Sequence, residues 1–527
     1  MTRATGGAAE EATAQQPGRF LADLSPVTAV MVVTTLLAFF LRAYVLLRPG
    51  LMSITQYDDG PYFGSAVRLV HGVLPYRDFA LVQPPGITVL MSPAGLLSYL
   101  TGTAWGLVIA RVLTVLASTA AVVLAGLLVR HRGVWAVLVT CGILAVYPPS
   151  VASSHTVLLE PWLVLFCLAG AVAAFDGDRL TASTRRLAWG GAAFGFAGAT
   201  KAWAIVPVAI VLALCLPALR RAAVFIGGVA AGFGVPVLPF AIPAPSQFYD
   251  AVITAQLARA GARDPVSDRL RSMLAISRGA LSPTTVAVIA LVVALLLIGA
   301  QVAAVLAGQG KPRPLDWFAM VGVALTVVMF LWPPYFAEHY AAFLGPFLAL
   351  AVGLAVERLA AILRARPHSQ TSVPQWLGRA AITAVAVLLV VEAVAEAPGG
   401  VRGSRPAAGA AERLIPPGAC ALTDQASYLL LANRFVSNVA GCPQMVDSLG
   451  TDLALSGGRR PGSGAAAVPA VANAWHDAFS HAQYVLLSPK NSLRVPWSPA
   501  LSRYFHATFR LVHTGSYKVY ARTGLPR

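Results

Sequence analysis

Charge is what this sequence lacks most. Asp, Glu, Lys and Arg together make up 12% of its 527 residues, too few to coat soluble domains of that total size. Acidic side chains are the scarcer kind, 22 against 39 basic ones, which leaves a net charge of +17. The basic residues are scattered Arg in short loops between apolar runs. No basic stripe interleaved with aromatics is present, so nucleic acid is excluded as a partner. Paired His on one helix, the common signature of a metal site, is missing too. No two halves of the chain resemble each other, and the ionisable residues do not fall at mid-span, which argues against a secondary transporter. Cysteine is sparse. Of five, Cys141, Cys167 and Cys215 fall inside apolar runs, where a buried apolar role is the default.

What the sequence has is apolar residues, 57% of the total, and they are bunched. Runs near 20 residues recur along the first four hundred positions, the length a helix needs to cross a bilayer. Spanning helices are expected at about 27–47, 104–129, 134–149, 157–175, 187–200, 202–217, 222–243, 284–307, 315–332, 340–357 and 379–395. The run 84–100 opens with Pro84-Pro85 and contains Gly86, Pro93 and Gly95. It reads as a re-entrant or interfacial helix rather than a full span. The first run is too long for a cleaved signal peptide and is followed by Arg48-Pro49, so it reads as an anchor. Residues 1–26 read as a disordered cytoplasmic tail.

Charge sets the register. With 84–100 not crossing, Arg130/Arg132, Arg179/Arg185/Arg186, Arg220/Arg221, Lys311/Arg313 and Arg358/Arg364/Arg366/Arg379 fall on one side, the cytoplasm by the positive-inside rule. The expectation is a multi-pass protein of the plasma (inner) membrane with its N-terminus in the cytoplasm. The external side then receives loop 48–103, Lys201, loop 244–283, the turn 333–339 and everything after about 397. Residues 397–527 change to mixed polarity and read as a small external α/β domain. Ala419–Thr423 and Tyr484–Leu487 read as buried strands, Ser427–Ala432 as a helix, and Phe509–His513 with Tyr517–Arg522 as a hairpin. Cys420 and Cys442 share this oxidising side, and a disulfide between them is expected.

The unusual polar residues collect on the same side. The first external loop reads Gln56-Tyr57-Asp58-Asp59-Gly60-Pro61-Tyr62, followed by an amphipathic stretch, Pro75-Tyr76-Arg77-Asp78-Phe79 and Gln83-Pro84-Pro85-Gly86. Two adjacent carboxylates can make a general base, since repulsion and partial burial raise one pKa; alone, the pair reads equally as a solvated turn. The order of these motifs resembles the GT-C superfamily of glycosyltransferases, in particular the polyprenyl- or dolichyl-phosphate-mannose transferases and the lipid A aminoarabinose transferases. The resemblance extends to Arg111, to His155–Pro161, to Lys201 within Ala199-Thr200-Lys201, and to Glu338-His339-Tyr340 followed by Pro346, covering roughly residues 27–360.

That resemblance implies a membrane bundle of GT-C type, a polyprenyl-phosphate-linked sugar as donor and an extracytoplasmic acceptor. Asp58 takes the place of the catalytic base, Asp59 is its companion, and Glu160 corresponds to the acid of the second external loop. The family commonly has Lys or His before the Pro-Pro; here Gln83 stands there, without the charge. The residue types fit the chemistry independently. A sugar on a lipid phosphate already has a good leaving group, so transfer needs a carboxylate for the acceptor proton and cations for the departing phosphate. Asp58 can be the first, and Arg111, Lys201 and His339 the second. Tyr340 and Tyr335 can line a sugar pocket or form an interfacial belt. Glu160 and Lys201 would be costly as unpaired charges at apolar helix ends, so a functional role or a mutual pair is expected, although Lys201 can also snorkel. A divalent metal held by Asp58, Asp59, Glu160 and His339 remains open. A non-catalytic scaffold is the rival that leaves the acidic pair unexplained.

Overall fold

The computed structural model describes residues 25–45, 50–259, 264–276, 280–365, 408–461, 464–489 and 494–525. The expected span at 379–395 lies outside the described residues. The membrane part runs α1 (Pro26–Val45), α2 (Asp59–Val70), α3 (Gly86–Thr101), α4 (Thr103–Val129), α5 (Val134–Val146), α6 (Pro148–Ser153), α7 (Glu160–Ala174), α8 (Thr184–Thr200), α9 (Ile205–Cys215), α10 (Leu219–Ala241), α11 (Val266–Met273), α12 (Pro283–Leu306), α13 (Pro314–Leu331) and α14 (Gly345–Ala365). Local chemistry explains the boundaries. Ser183 and Ser282 cap α8 and α12 by accepting from the backbone N–H three residues on. Pro84-Pro85 precede α3, and Gly102, at φ 82°, ends it one residue before α4 begins.

Six described helical segments are long and apolar enough to cross a membrane, beginning at Pro26, Thr103, Leu219, Pro283, Pro314 and Glu338. The other apolar runs form shorter helices. α5 has 13 residues and α9 has 11, and at 1.5 Å per residue neither covers the roughly 30 Å of bilayer hydrocarbon. Among the described residues the expected spans thus fall on six long helices and several shorter ones packed among them. α3, at 16 residues, keeps the short Pro-interrupted form expected of it. α12 presents Leu291, Leu295, Leu296 and Val302 outward, each at least half exposed. Such a stripe would be a liability in water and suits a lipid-facing wall. α8 and α10 make the tightest helix pair. A Cβ at Gly191, Gly195, Gly228 or Gly232 would lie within 2.3 Å of a carbonyl oxygen on the partner helix, the small-residue spacing that lets membrane helices touch backbone to backbone.

The basic loops do gather at one end. Asp178, between short strands β1 (Phe175–Asp176) and β2 (Arg179–Leu180), binds His131, Arg132 and Arg313, while Asp316 binds Arg132 and Arg358. At the opposite end sits the C-terminal domain: α15 (Ala408–Leu414), β3 (Ala421–Thr423), α16 (Ala426–Leu431), α17 (Ser448–Leu455), α18 (Pro469–His481), β4 (Tyr484–Leu487), α19 (Pro499–Thr508), β5 (Phe509–Thr514) and β6 (Lys518–Arg522). Its sheet has the order β3-β4-β6-β5, with β3/β4 parallel and the other pairs antiparallel. Trp475, Phe479, Val485, Phe505 and Tyr520 form its own core. Cys420 and Cys442 are joined by a disulfide. A second core is shared across the junction: Phe63, Met91 and Leu107 of the bundle pack with Leu430, Phe435 and Val446 of the domain. At Gly60 a Cβ would fall 2.6 Å from the Ser427 nitrogen, so only glycine admits this approach.

Candidate functional site

The acidic pair stands where α2 begins, and the helix separates its members. Successive helical residues point about 100° apart, so one carboxylate faces the protein while the other faces a cavity. Asp59 is the inward one, fully buried. Its Oδ2 accepts from Arg111 and from the Thr156 hydroxyl at 2.7 Å, and its Oδ1 accepts from the Ser427 hydroxyl at 2.6 Å. Arg111 also donates to the Leu51 carbonyl at 2.5 Å. Arg111 is thus engaged behind the cavity wall, away from the position expected for a phosphate contact.

Asp58 is the outward member. It lines a cavity of about 100 Å³ together with Tyr57, Tyr62, Gln83, Lys201, Arg259 and His339. Tyr335, Tyr340, Asp447 and Arg460 complete the polar part of the wall. Burial pushes the Asp58 carboxyl above the usual carboxylate range, and the nearby His339, Arg259 and Lys201 pull it partly back.

Lys201, at the end of α8, is fixed from three directions. Its Nζ donates to Glu160 Oε1 at 2.5 Å and lies 3.6 Å from the Trp203 ring centre and 4.2 Å from that of Tyr340. Glu160 opens α7 and is almost fully buried; the same Oε1 is 3.9 Å from His339 Nε2, while its Oε2 has no hydrogen-bond partner among the described residues. The expected pairing of Glu160 with Lys201 is therefore direct, and the carboxylate stands behind the cations rather than on the cavity wall. With Asp59 turned to Arg111 and Glu160 to Lys201, the four suggested metal ligands are parted. Among the described residues no group of three or more His, Cys, Asp or Glu converges on a common point.

Five of these lining residues, Gln83, Lys201, Arg259, Tyr335 and Tyr340, also border a second, larger space of about 450 Å³. Apart from Gln256 its remaining wall is apolar and includes Trp203, Ile253, Leu257, Phe330 and Trp332. A polar chamber and a greasy groove thus lie side by side across one shared wall.

Sequence reasoning missed Arg259, Asp447 and Arg460. Arg259 donates to the Tyr340 hydroxyl at 3.2 Å and sits 5.0 Å from the Tyr335 ring centre, beside the neutral Gln83. It brings a cation to the region where the motif lacks one. Arg460, from the C-terminal domain, lies 4.1 Å from the same Tyr335 ring. Asp447 reads in sequence as an ordinary helix cap, which it also is: its carboxylate accepts from the Gly450 N–H at 2.7 Å. Nothing in those loops marks them as neighbours of Asp58, several hundred residues away.

No family model and no curated protein matches the sequence. Solved structures do resemble it. ArnT from Cupriavidus metallidurans in the apo state aligns over 94% of this chain and 97% of its own, with 16% identity and a TM-score of 0.55. The oligosaccharyltransferase AglB from Archaeoglobus fulgidus aligns over 95% of this chain and 75% of its own, with 14% identity and a TM-score of 0.49. The protein O-mannosyltransferase Pmt1–Pmt2 complex of S. cerevisiae aligns over 49% and 37%, with 20% identity and a TM-score of 0.32. The likeness to ArnT carries the conclusion about architecture: the chain shares the fold of that protein over nearly all of its length.

Proposed function

We propose that this protein is a membrane glycosyltransferase that moves a sugar from a polyprenyl-phosphate donor to an acceptor outside the membrane, with Asp58 as general base. The observation that carries the reading is the adjacency of two spaces that share one wall. The apolar groove suits a prenyl chain, the shared Lys201 and Arg259 suit the phosphate at its end, and the polar chamber beyond suits the sugar and the incoming hydroxyl. A fold likeness alone would not support a function; this arrangement supplies the chemical reason.

In the proposed reaction, the acceptor hydroxyl gives its proton to Asp58 as its oxygen bonds to the anomeric carbon. The bond from that carbon to the phosphate oxygen breaks, and its electron pair stays with the phosphate. Attack from the face opposite the leaving group inverts the anomeric centre. Lys201, Arg259 and His339 meet the charge that grows on the phosphate, an interaction stronger in the transition state than before it. Glu160 positions Lys201 rather than touching the reacting atoms. The reading also places the C-terminal domain outside the plasma membrane and the N-terminus in the cytoplasm.

The test is transfer of radiolabelled sugar from a polyprenyl-phosphate donor in membranes carrying wild type or Asp58→Asn. Loss of a general base lowers turnover by about 100-fold or more. Because the Asp58 pKa is raised, wild-type turnover should climb with pH through that elevated value and then level off. Near wild-type transfer by purified Asp58→Asn overturns the base assignment.

A further inference from the structure

The cavity around Asp58 has a second carboxylate on its wall, and it comes from the other domain. Asp447 is 6% exposed. Its Oδ1 is fully used: it accepts from the Tyr57 hydroxyl at 2.8 Å and from the Gly450 N–H at 2.7 Å. Tyr57 is itself held, accepting from the Leu449 N–H at 3.1 Å. The other oxygen, Oδ2, has no hydrogen-bond partner among the described residues. Residue 450 is what keeps it clear, since a Cβ there would lie 2.2 Å from Oδ2. A helix cap needs one carboxylate oxygen. Asp447 offers two, and the spare one is oriented by the two donors that hold Oδ1, beside a cavity it shares with the proposed base.

We propose that Asp447 is an acceptor-binding residue supplied by the C-terminal domain, and that the acceptor it selects is a carbohydrate with neighbouring hydroxyls. The inference rests on the transferase reading of the same cavity. One hydroxyl of the acceptor meets Asp58 and is deprotonated; an adjacent hydroxyl donates to Asp447 Oδ2 and fixes which oxygen reacts. A phosphorylated acceptor is disfavoured, because two carboxylates would face its charge while Lys201, Arg259 and His339 are occupied by the donor phosphate. A simple alcohol would leave Oδ2 without a partner and forfeit a hydrogen bond to a charged group. Four tyrosines, Tyr57, Tyr62, Tyr335 and Tyr340, line the same space and supply the mixture of ring surface and hydroxyls that a sugar's mixed faces require.

The test uses the full chain in lipid nanodiscs and measures binding as well as transfer. The probes are alkyl glycosides with free vicinal hydroxyls, the alkanol and alkylamine of the same chain length, and farnesyl phosphate for the donor side. Asp447→Asn keeps an oxygen for Tyr57 and Gly450, so the cap survives. It should weaken glycoside binding, and raise the acceptor KM, by about 10-fold or more, the scale of a hydrogen bond to a charged group. Farnesyl phosphate binding should stay within about twofold of wild type. Equal glycoside affinity in wild type and variant overturns the proposal, as does tighter wild-type binding of the alkylamine or alkanol than of every glycoside. A loss of farnesyl phosphate binding matching the loss of glycoside binding also overturns it, by showing a collapsed site. Failure of the transferase reading is separable: Asp58→Asn would then transfer normally whatever Asp447 does to glycoside affinity.

Discussion

Substituting Asn separately at Asp58 and Asp59 should give opposite signatures, although the two acids are neighbours in sequence. Asp59 is fully buried and Arg111 is 2% exposed. Removing one partner of such a pair leaves the other charge uncompensated, at a cost of about 3–5 kcal/mol. Asparagine at 59 can still accept from Ser427 with its one oxygen, but it turns an amide nitrogen toward both Thr156 and the guanidinium and supplies no charge. The damage falls at the junction, because Ser427 belongs to the C-terminal domain and Gly60 lies against its backbone. Asp58 behaves otherwise. Its raised pKa means that the ionised carboxylate is disfavoured in the folded protein, so neutral Asn there should leave stability at pH 7 unchanged or slightly higher. The assay is unfolding in detergent followed by tryptophan fluorescence, with transfer measured on the same preparations. Asp59→Asn should melt well below wild type, and Asp58→Asn at or above it while losing turnover. An Asp59→Asn protein that melts like wild type yet loses turnover as deeply as Asp58→Asn would refute the division of roles.

Lys201→Ala should weaken farnesyl phosphate binding and lower turnover together, whereas Glu160→Gln should lower turnover with a smaller effect on binding, because the carboxylate acts through the ammonium. Full activity in the Glu160→Lys/Lys201→Glu swap would reduce the pair to a structural bridge. Asp452 gives a pH signature within the C-terminal domain. Its carboxyl is buried, accepts from Trp475 Nε1 at 2.7 Å and has an orphaned Oδ2; burial pushes its pKa up to about 8. A folded pKa above the unfolded value gives stability that is full below about pH 4 and is lost as pH rises through about 8. Asp452→Asn should therefore match wild type in melting near pH 5 and exceed it at pH 9. A constant gap between the two proteins across that range would contradict the titration.

Long helices were legible because their information is redundant. An 18-residue window in each of α12 and α13 is apolar enough to announce a bilayer span. The short ones were not. α5 and α9 are as apolar as their neighbours, so their sequence does not show that each stops after three or four turns; packing against other helices decides that. In the C-terminal domain, strands β5 and β6 fell where the Thr514-Gly515-Ser516 turn places them, since the hairpin's register depends on local residues. Arg42 reads as a headgroup anchor because it lies near a helix end. In the structure it is buried, donating to Ser118 at 2.8 Å and to the Ala145 and Leu144 carbonyls at 2.8 and 2.9 Å. That role depends on carbonyls about a hundred residues away.

The same limit explains why half of the candidate site was visible. Asp58, Lys201, His339 and Tyr340 are rare polar residues amid apolar sequence, and rarity marked them. Asp447 and Arg460 sit in a domain where polar residues are ordinary, so nothing local distinguishes them from caps and surface charges. What reveals them is the junction, where Asp59 and Arg111 pair with each other and Asp59 also accepts from Ser427, so that both serve as fasteners. Through Ser427 and the close approach at Gly60, those fasteners hold the C-terminal domain against the first turn of α2, the turn that presents Asp58. Through Tyr57 the same turn reaches Asp447. The position of the proposed base is therefore set from both sides of the junction. The C-terminal domain is then a wall of the site and not an appendage to it, which follows from hydrogen bonds that no single stretch of sequence contains.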